Sequence, residues 1–408
     1  MKKIILSLAA ILGICATSLS LTSCKENSVV IKGAGGEEIT VKKSNDEELV
    51  SKAFAAYANK AFENQKNIYS VGIHTESETE QEYKVNYLSD YSKTSMNGDV
   101  RLTIGKNKYT NFSEKDITTE EDFSKAKEEL KNNVDLEVQL SENVQSKSTI
   151  NRDEFIQYCS SLGVDYNNIP NISTETNNNI NMDIKGFLES GNLYLELEGT
   201  KNDPDEPNFS NNYVSTNFFE GLPCTYITSI LNEYQSSNIY TLLSKYTNLE
   251  LSEYTTENFY ESDYYNYLKK YVSDNDVEIT SVSNDDVTFK INFNANFYSE
   301  ITKAMSDMSN FISIADINTT SDLKDKKLGE YNIVFSNEGL IKSEDCNLEI
   351  DMNDIVDDDT NTTKFKINLK NVITYNDDVK FTLSKDSKKE YKEADLNTIL
   401  EESVHWIV

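Results

Sequence analysis

Sixty-nine carboxylates, two imidazoles and five thiols are the side chains in this sequence whose types could do chemistry. The acids gather in three runs: Asp203, Asp205 and Glu206; Asp274, Asp276 and Glu278; and Asp354 followed by Asp357, Asp358 and Asp359. Calcium needs a full shell of oxygens in a fixed loop, a glycine at the sharp turn and a closing bidentate glutamate. None of the three runs has that spacing, so they read as solvated turns and no metal is expected. Glycoside hydrolysis needs one defined carboxylate pair, and nothing singles one out. His74 and His405 have no neighbouring nucleophile or ligand pattern, and GxSxG is absent. The Gly-Ala-Gly-Gly run at 33–36 lacks the Gly-Lys-Ser/Thr that a phosphate loop requires. The expectation is a protein that is not an enzyme and takes no cofactor.

Two sets of side chains could line a ligand site. Tyr260, Tyr264 and Tyr267 recur at helical spacing, and tyrosine offers stacking area with a polar tip. Met305 and Met308 lie on the apolar face of a predicted helix over 297–312, where methionine could adapt to acyl chains. The same spacings also build ordinary core.

The thiols divide by position. Cys15 and Cys24 belong to the N-terminal region. Cys159, Cys224 and Cys346 form neither a disulfide framework nor a CxxC pattern. A Cys159–Cys224 bridge and buried free thiols both remain open.

Lys2 and Lys3 precede an apolar run over 4–14 that ends in small residues, the order of a secretory signal peptide, here residues 1–23. The run is too short for a membrane span. Leu21-Thr22-Ser23-Cys24 resembles the lipobox of bacterial lipoproteins. That resemblance implies cleavage before Cys24, a diacylglyceryl thioether on its sulfur and an acyl chain such as palmitate on its nitrogen. The partner so implied is the lipid bilayer, on the outer face of the cell membrane or at the outer membrane of a two-membrane cell. The formal net charge of -30 argues against an electrostatic grip on nucleic acid or on an anionic lipid surface. Loss of residues 1–23 removes two lysines and no acid, leaving 37 basic against 69 acidic side chains.

The elements that must position these groups follow from periodicity. Residues 24–45, with their glycines, read as a flexible tether that holds the body clear of the bilayer. Residues 46–408 read as one α+β domain. A helix over 46–66 carries Val50, Phe54, Tyr57, Ala58, Ala61 and Phe62 on one face, with Ser44 or Asn45 opening a capping box. Period-two runs follow: Tyr69, Val71, Ile73; Tyr83, Val85, Tyr87; and Val100, Leu102, Ile104, with turns at Ser89-Asp90 and Asn97-Gly98. Residues 112–180 read as an insertion that contains alternating Leu136, Val138 and Leu140 and an Asn-rich surface loop over 167–181. Residues 182–188 and 193–197 read as a hairpin across Glu189-Ser190-Gly191-Asn192. The middle, 218–273, is helical. Strands return after it, with a turn at Ser336-Asn337-Glu338-Gly339 and a last strand through Val379, Phe381 and Leu383.

This order of helix, meander, central helices and second meander resembles the lipoprotein-carrier superfamily (LolA-like and LppX-like). Residues 186–199 with Tyr194, and residues 328–352 with the Gly339-Leu340-Ile341 turn exit, carry it. The resemblance implies a large antiparallel curved sheet, a half-barrel-like meander with helices on the concave side. It also implies a hydrophobic or amphipathic ligand in that cavity. The alternative is a surface lipoprotein that meets another protein or a glycan.

Overall fold

The structure is a computed structural model. It describes residues 28–65, 67–103, 134–164, 174–202, 208–216, 256–283, 286–294, 327–351 and 362–395, with isolated positions between 119 and 131 and at 398.

The first surprise lies where a tether was expected. Strands β1 (Ser28–Lys32) and β2 (Glu38–Lys42) pair antiparallel, with Val29 opposite Val41 and Ile31 opposite Ile39. Alternation puts Ile31, Ile39 and Val41 on one side, where they are buried against the body. Two short apolar patches that looked incidental in a glycine-rich stretch are the inward face of a hairpin. The flexible reading of 24–45 is therefore corrected for residues 28–42.

Helix α1 (Glu47–Gln65) follows as expected. Its cap is Asp46, whose carboxylate accepts from the Leu49 amide at 2.9 Å, while the Ser44 hydroxyl accepts from the Asp46 amide at 3.0 Å. The helix end is pinned by Lys60 and Asn64, which donate to the backbone carbonyls of Asn337 and Glu338. Gly339 sits against this contact at φ 79°, and a β-carbon there would come within 2.8 Å of Lys60.

The remaining strands are β3 (Ser70–Val85), β4 (Leu88–Thr103), β5 (Asp135–Ile150), β6 (Glu175–Glu189), β7 (Asn192–Lys201), β8 (Asn208–Ser215), β9 (Glu278–Ser283), β10 (Asp286–Asn294), β11 (Lys327–Phe335), β12 (Ile341–Asp351), β13 (Thr362–Tyr375) and β14 (Lys392–Glu393). Helix α2 (Arg152–Ser161) follows β5, and α3 (Asp263–Asp274) precedes β9 after a 3-10 turn, Thr256–Glu261. The strands form one open, curved sheet in the order β14-β8-β7-β6-β5-β4-β3-β13-β12-β11-β10-β9. Every pair is antiparallel except β14 with β8. The fold is α+β, as expected. Two meanders, β3–β8 and β9–β13, abut along β3 and β13.

Several expectations change. Residues 135–150 and 175–189 are central strands, so 112–180 is no insertion, and the Asn-rich segment contributes 175–181 to β6. The runs at 69–73 and 83–87 fall on one continuous strand, β3, with Tyr69 and Tyr87 just beyond its ends, and Ser89-Asp90 and Asn97-Gly98 both lie inside β4 rather than at turns. The β6–β7 hairpin turns through Ser190 and Gly191 at φ 53° and 78°, a two-residue turn that suits the strand twist. Val379, Phe381 and Leu383 form no strand. They lie in an extended stretch that crosses the sheet.

The densest core lies under β9–β12. Phe289, Val287, Ile291 and Ile279 are buried there against Val50, Ala53 and Tyr57 of α1, with Phe289 packing edge-on to Phe54 and Tyr57. Among the described residues this cluster takes in β1, β2, α1, α3 and β9–β12, and nothing from β3–β8.

Candidate functional site

Alternation gives the sheet two unlike faces. On the face that bears α1 and α3, the strand register lines up Ile373, Ile73, Val100, Val138, Gly186, Leu195 and Tyr213 across β13, β3, β4, β5, β6, β7 and β8. Ile73 and Tyr213 are buried, and Val100, Val138, Leu195 and Ile373 are half-buried. Two rungs further along, the row reads Leu369, Ser77, Met96, Glu142, Met182 and Gly199. Beyond it lie Ile367, Thr79, Thr94, Val144 and Ile180. The face thus grades from aliphatic near the β3 start to hydroxyl and amide near the β3–β4 turn. Glu142 stands between the two methionines, half-buried. The chemistry this floor offers is apolar contact, with the Glu142 carboxylate set among it.

The opposite face is polar and carries a different device. Residues 379–395 run across it as a strap. Val379 packs on Gly72, and the amides of Thr382 and Leu383 each donate to Glu137 Oε2 at 2.6 Å. The Thr382 hydroxyl donates to Oε1 at 3.0 Å, and Arg101 makes an ion pair with the same carboxylate. Glu137 is only 1% exposed. Burial opposes its ionisation, but the Leu383 and Thr382 amides, the Thr382 hydroxyl and the Arg101 charge outweigh it and hold the carboxyl below its ordinary range. From Arg101 the polar chain continues to Asp99 at 3.2 Å, whose Oδ1 lies 3.3 Å from His74 Nδ1, and alongside it Glu76 pairs with Lys370 at 2.8 Å.

The strap is seated a second time on β7. Lys389 lies 2.7 Å from Glu196 Oε2, and the Tyr391 hydroxyl donates to Oε1 at 2.6 Å. Tyr391 packs edge-on to Tyr194, which stacks on Phe187. Burial again resists the charge on Glu196, and the bonds from Lys389 and Tyr391 prevail and hold its carboxyl low. The strap then ends in β14 against the β8 edge. Nothing in the spacing of Glu137 or Glu196 announced this. Each alternates with leucines or valines as an outward-facing strand acid does, and only the register brings Arg101 and the strap to them.

The tyrosines expected to line a ligand site are brought together, but as packing. Tyr264 and Tyr265 are buried with Phe259 and Leu268, and Tyr267 is partly buried beside them. The Tyr260 hydroxyl donates to Glu37 in the β1–β2 turn, with Lys52 5.0 Å over its ring. Burial and the Glu37 carboxylate both raise the Tyr260 phenol, and burial first, then nearby acids, pushes Tyr265 up to about 12. These rings join hairpin, 3-10 turn and helices. Met305, Met308 and the lipobox residues Leu21, Thr22, Ser23 and Cys24 lie outside the described residues. Met96, and Met182 of the expected hairpin, supply methionine to the apolar face.

Cys159 and Cys346 are free thiols, and burial pushes Cys346 up to about 11. Among the described residues no group of acids, histidines and cysteines has a metal-binding arrangement, and no helix is long and apolar enough to cross a membrane. No family model, no curated protein and no solved structure matches this chain.

Proposed function

We propose that the protein is an exported lipoprotein, anchored in a bilayer through acylated Cys24, that holds a hydrophobic or amphipathic ligand on the apolar face of its open sheet. The observation that carries the binding half is the row from Ile373 to Tyr213, a half-buried apolar floor across seven adjacent strands. A soluble domain gains from covering such a floor, and an acyl chain covers it without requiring polar partners. Glu142, between Met96 and Met182, would meet a hydrogen-bond-donating or cationic head group. The anchoring half rests on the Leu21-Thr22-Ser23-Cys24 lipobox. The role is binding rather than catalysis. The resemblance in element order to the lipoprotein-carrier superfamily is in keeping with it.

Mass spectrometry of an organic extract of the purified full-length protein tests the reading. A co-purifying lipid that is lost in Val138→Asp, while the fold is retained by circular dichroism, is the expected result. An extract free of lipid, with no displacement of an added fluorescent fatty acid, would count against it.

A second reading, a surface that meets a glycan or another protein, has its own support. On the polar face beyond the strap, Asn143 donates to Asn179 and Asn181 at 2.9 and 2.7 Å, and Gln145 donates to Asn143 at 2.9 Å. This exposed amide array could exchange its internal bonds for hydroxyl partners.

A further inference from the structure

We infer that the outer face of the β1–β2 hairpin rests on the lipid bilayer, so that the body is docked at the membrane instead of standing off from it. The inference rests on the acylation of Cys24 proposed above and adds an orientation to it.

Reach is the first argument. Only four residue steps separate Cys24 from Ser28, the first residue of β1, a span of at most about 14 Å when fully extended. From Ser28 onward the chain has no slack. The hairpin turn is closed by Gly33 N donating to the Glu37 carbonyl at 2.7 Å, and Ile31, Ile39 and Val41 are locked into the core. A lipid on Cys24 therefore holds the hairpin itself against the head groups.

Charge is the second. Residues 24–45 carry four lysines against three glutamates, in a mature chain otherwise dominated by acids. Glu37 is turned inward to Tyr260. That leaves Lys32, Lys42 and Lys43 exposed at the hairpin surface with Glu38 as the local acid. Among the described residues none of the three lysines has an ion pair. An exposed Val30, 57% accessible, stands between Lys32 and Lys42 on that face. A single aliphatic side chain flanked by lysines suits the head-group region, where acyl anchors commonly need a second, electrostatic contribution. The overall acidity would repel an anionic surface, whereas this face, with Lys32, Lys42 and Lys43 against Glu38, can approach one.

The test uses the full-length acylated protein in vesicles of phosphatidylcholine and phosphatidylglycerol with brominated acyl chains, which quench tryptophan at short range. The sole tryptophan is removed by Trp406→Phe, and probes are placed by Val30→Trp and, in a separate protein, by Tyr91→Trp on β4. Thr40→Trp, opposite Val30, is the second hairpin probe should the first disturb folding. The intact mass reports acylation of Cys24 in each preparation. Quenching several times stronger at 30 or 40 than at 91, reduced by Lys32→Glu with Lys42→Glu, is the expected result. Acylated protein in which all probes are equally unquenched overturns the docking and leaves the anchor standing. A chain whose Cys24 carries no lipid overturns both.

Discussion

Strands β9–β12 and strands β4–β7 are built from the same kind of alternating sequence, yet they dispose of their apolar faces differently. Under β9–β12, Phe289, Ile291 and Val287 are sealed by α1 and by the inward side of the N-terminal hairpin, and each is at most 2% exposed. On β4–β6, Val100, Val138 and Ile184 face the same way and remain half-buried. Their strands also run further, to fifteen or sixteen residues, into a stretch that is polar on both faces. The lesson is a division of labour within one sheet. One half seals its hydrophobic surface under helix and hairpin, and the other leaves part of it half-buried, backed by a strap on two buried carboxylates.

The largest effect that would sharpen this contrast is expected at Phe289. Phe289→Ala removes a fully buried ring that touches Phe54, Tyr57 and Phe335, and should cost about 3–5 kcal/mol in denaturant unfolding. Val138→Ala, its counterpart on the half-buried floor, should cost about 1 kcal/mol. If the two costs proved equal, the comparison would fail.

Next in size is Glu137→Leu. It removes one of the two carboxylate partners of Arg101, leaving Asp99, and strands two strap amides; the expected loss is about 3 kcal/mol. Hydrogen exchange should rise at residues 379–395 before it rises at β10. Equal acceleration at both places would show that the strap is no separable unit.

Acid should act on the same device. Glu137 and Glu196 both have carboxyls held below their ordinary range. Their contribution is therefore complete above the ordinary carboxylate pKa, and it is lost as pH falls below that value through the folded one. Protection factors at 379–395, with exchange corrected for its intrinsic pH dependence, should fall in the lower part of the window between pH 6 and pH 3 and stay flat in the upper part. A strap that loosens on raising the pH would contradict the assignment.

The smallest effect is expected at Tyr391→Phe, which removes one hydrogen bond to Glu196 and keeps the ring on Tyr194. About 1 kcal/mol of local stability, read by exchange at β14, should be lost with little change in global unfolding.

Legibility in the sequence followed burial. Helix α1, the Ser190-Gly191 turn and the Gly339 turn were all readable, because an apolar face or a glycine at positive φ leaves a local mark. The upper halves of β3 and β6 were not. Their residues, such as Glu76 to Glu82 and Asn177 to Asn179, are polar on both sides and show no alternation. They are extended because neighbours across the strands hold them, as Lys93 holds Glu78 and Glu80 at 2.7 and 3.0 Å. Val379, Phe381 and Leu383 failed in the opposite sense, showing alternation without a ladder. The hairpin at 28–42 was hidden by its glycines, and the tyrosines of α3 had the spacing of a ligand site and the role of core. For the candidate floor, each strand's apolar set was visible, but their alignment into rows depended on a register that no single strand reveals.

The pairing of β3 with β13 has a temporal consequence. Val71 lies opposite Tyr375, so the seam at the centre of the sheet joins the beginning of the chain to its end. Each meander is a series of local hairpins that can form quickly, whereas the seam must wait for almost the entire polypeptide. Until then, β3 and β13 both present open edges to any passing strand. On the export proposed above, the last steps of assembly would be the closing of that seam, followed by the laying of residues 379–395 across the finished back.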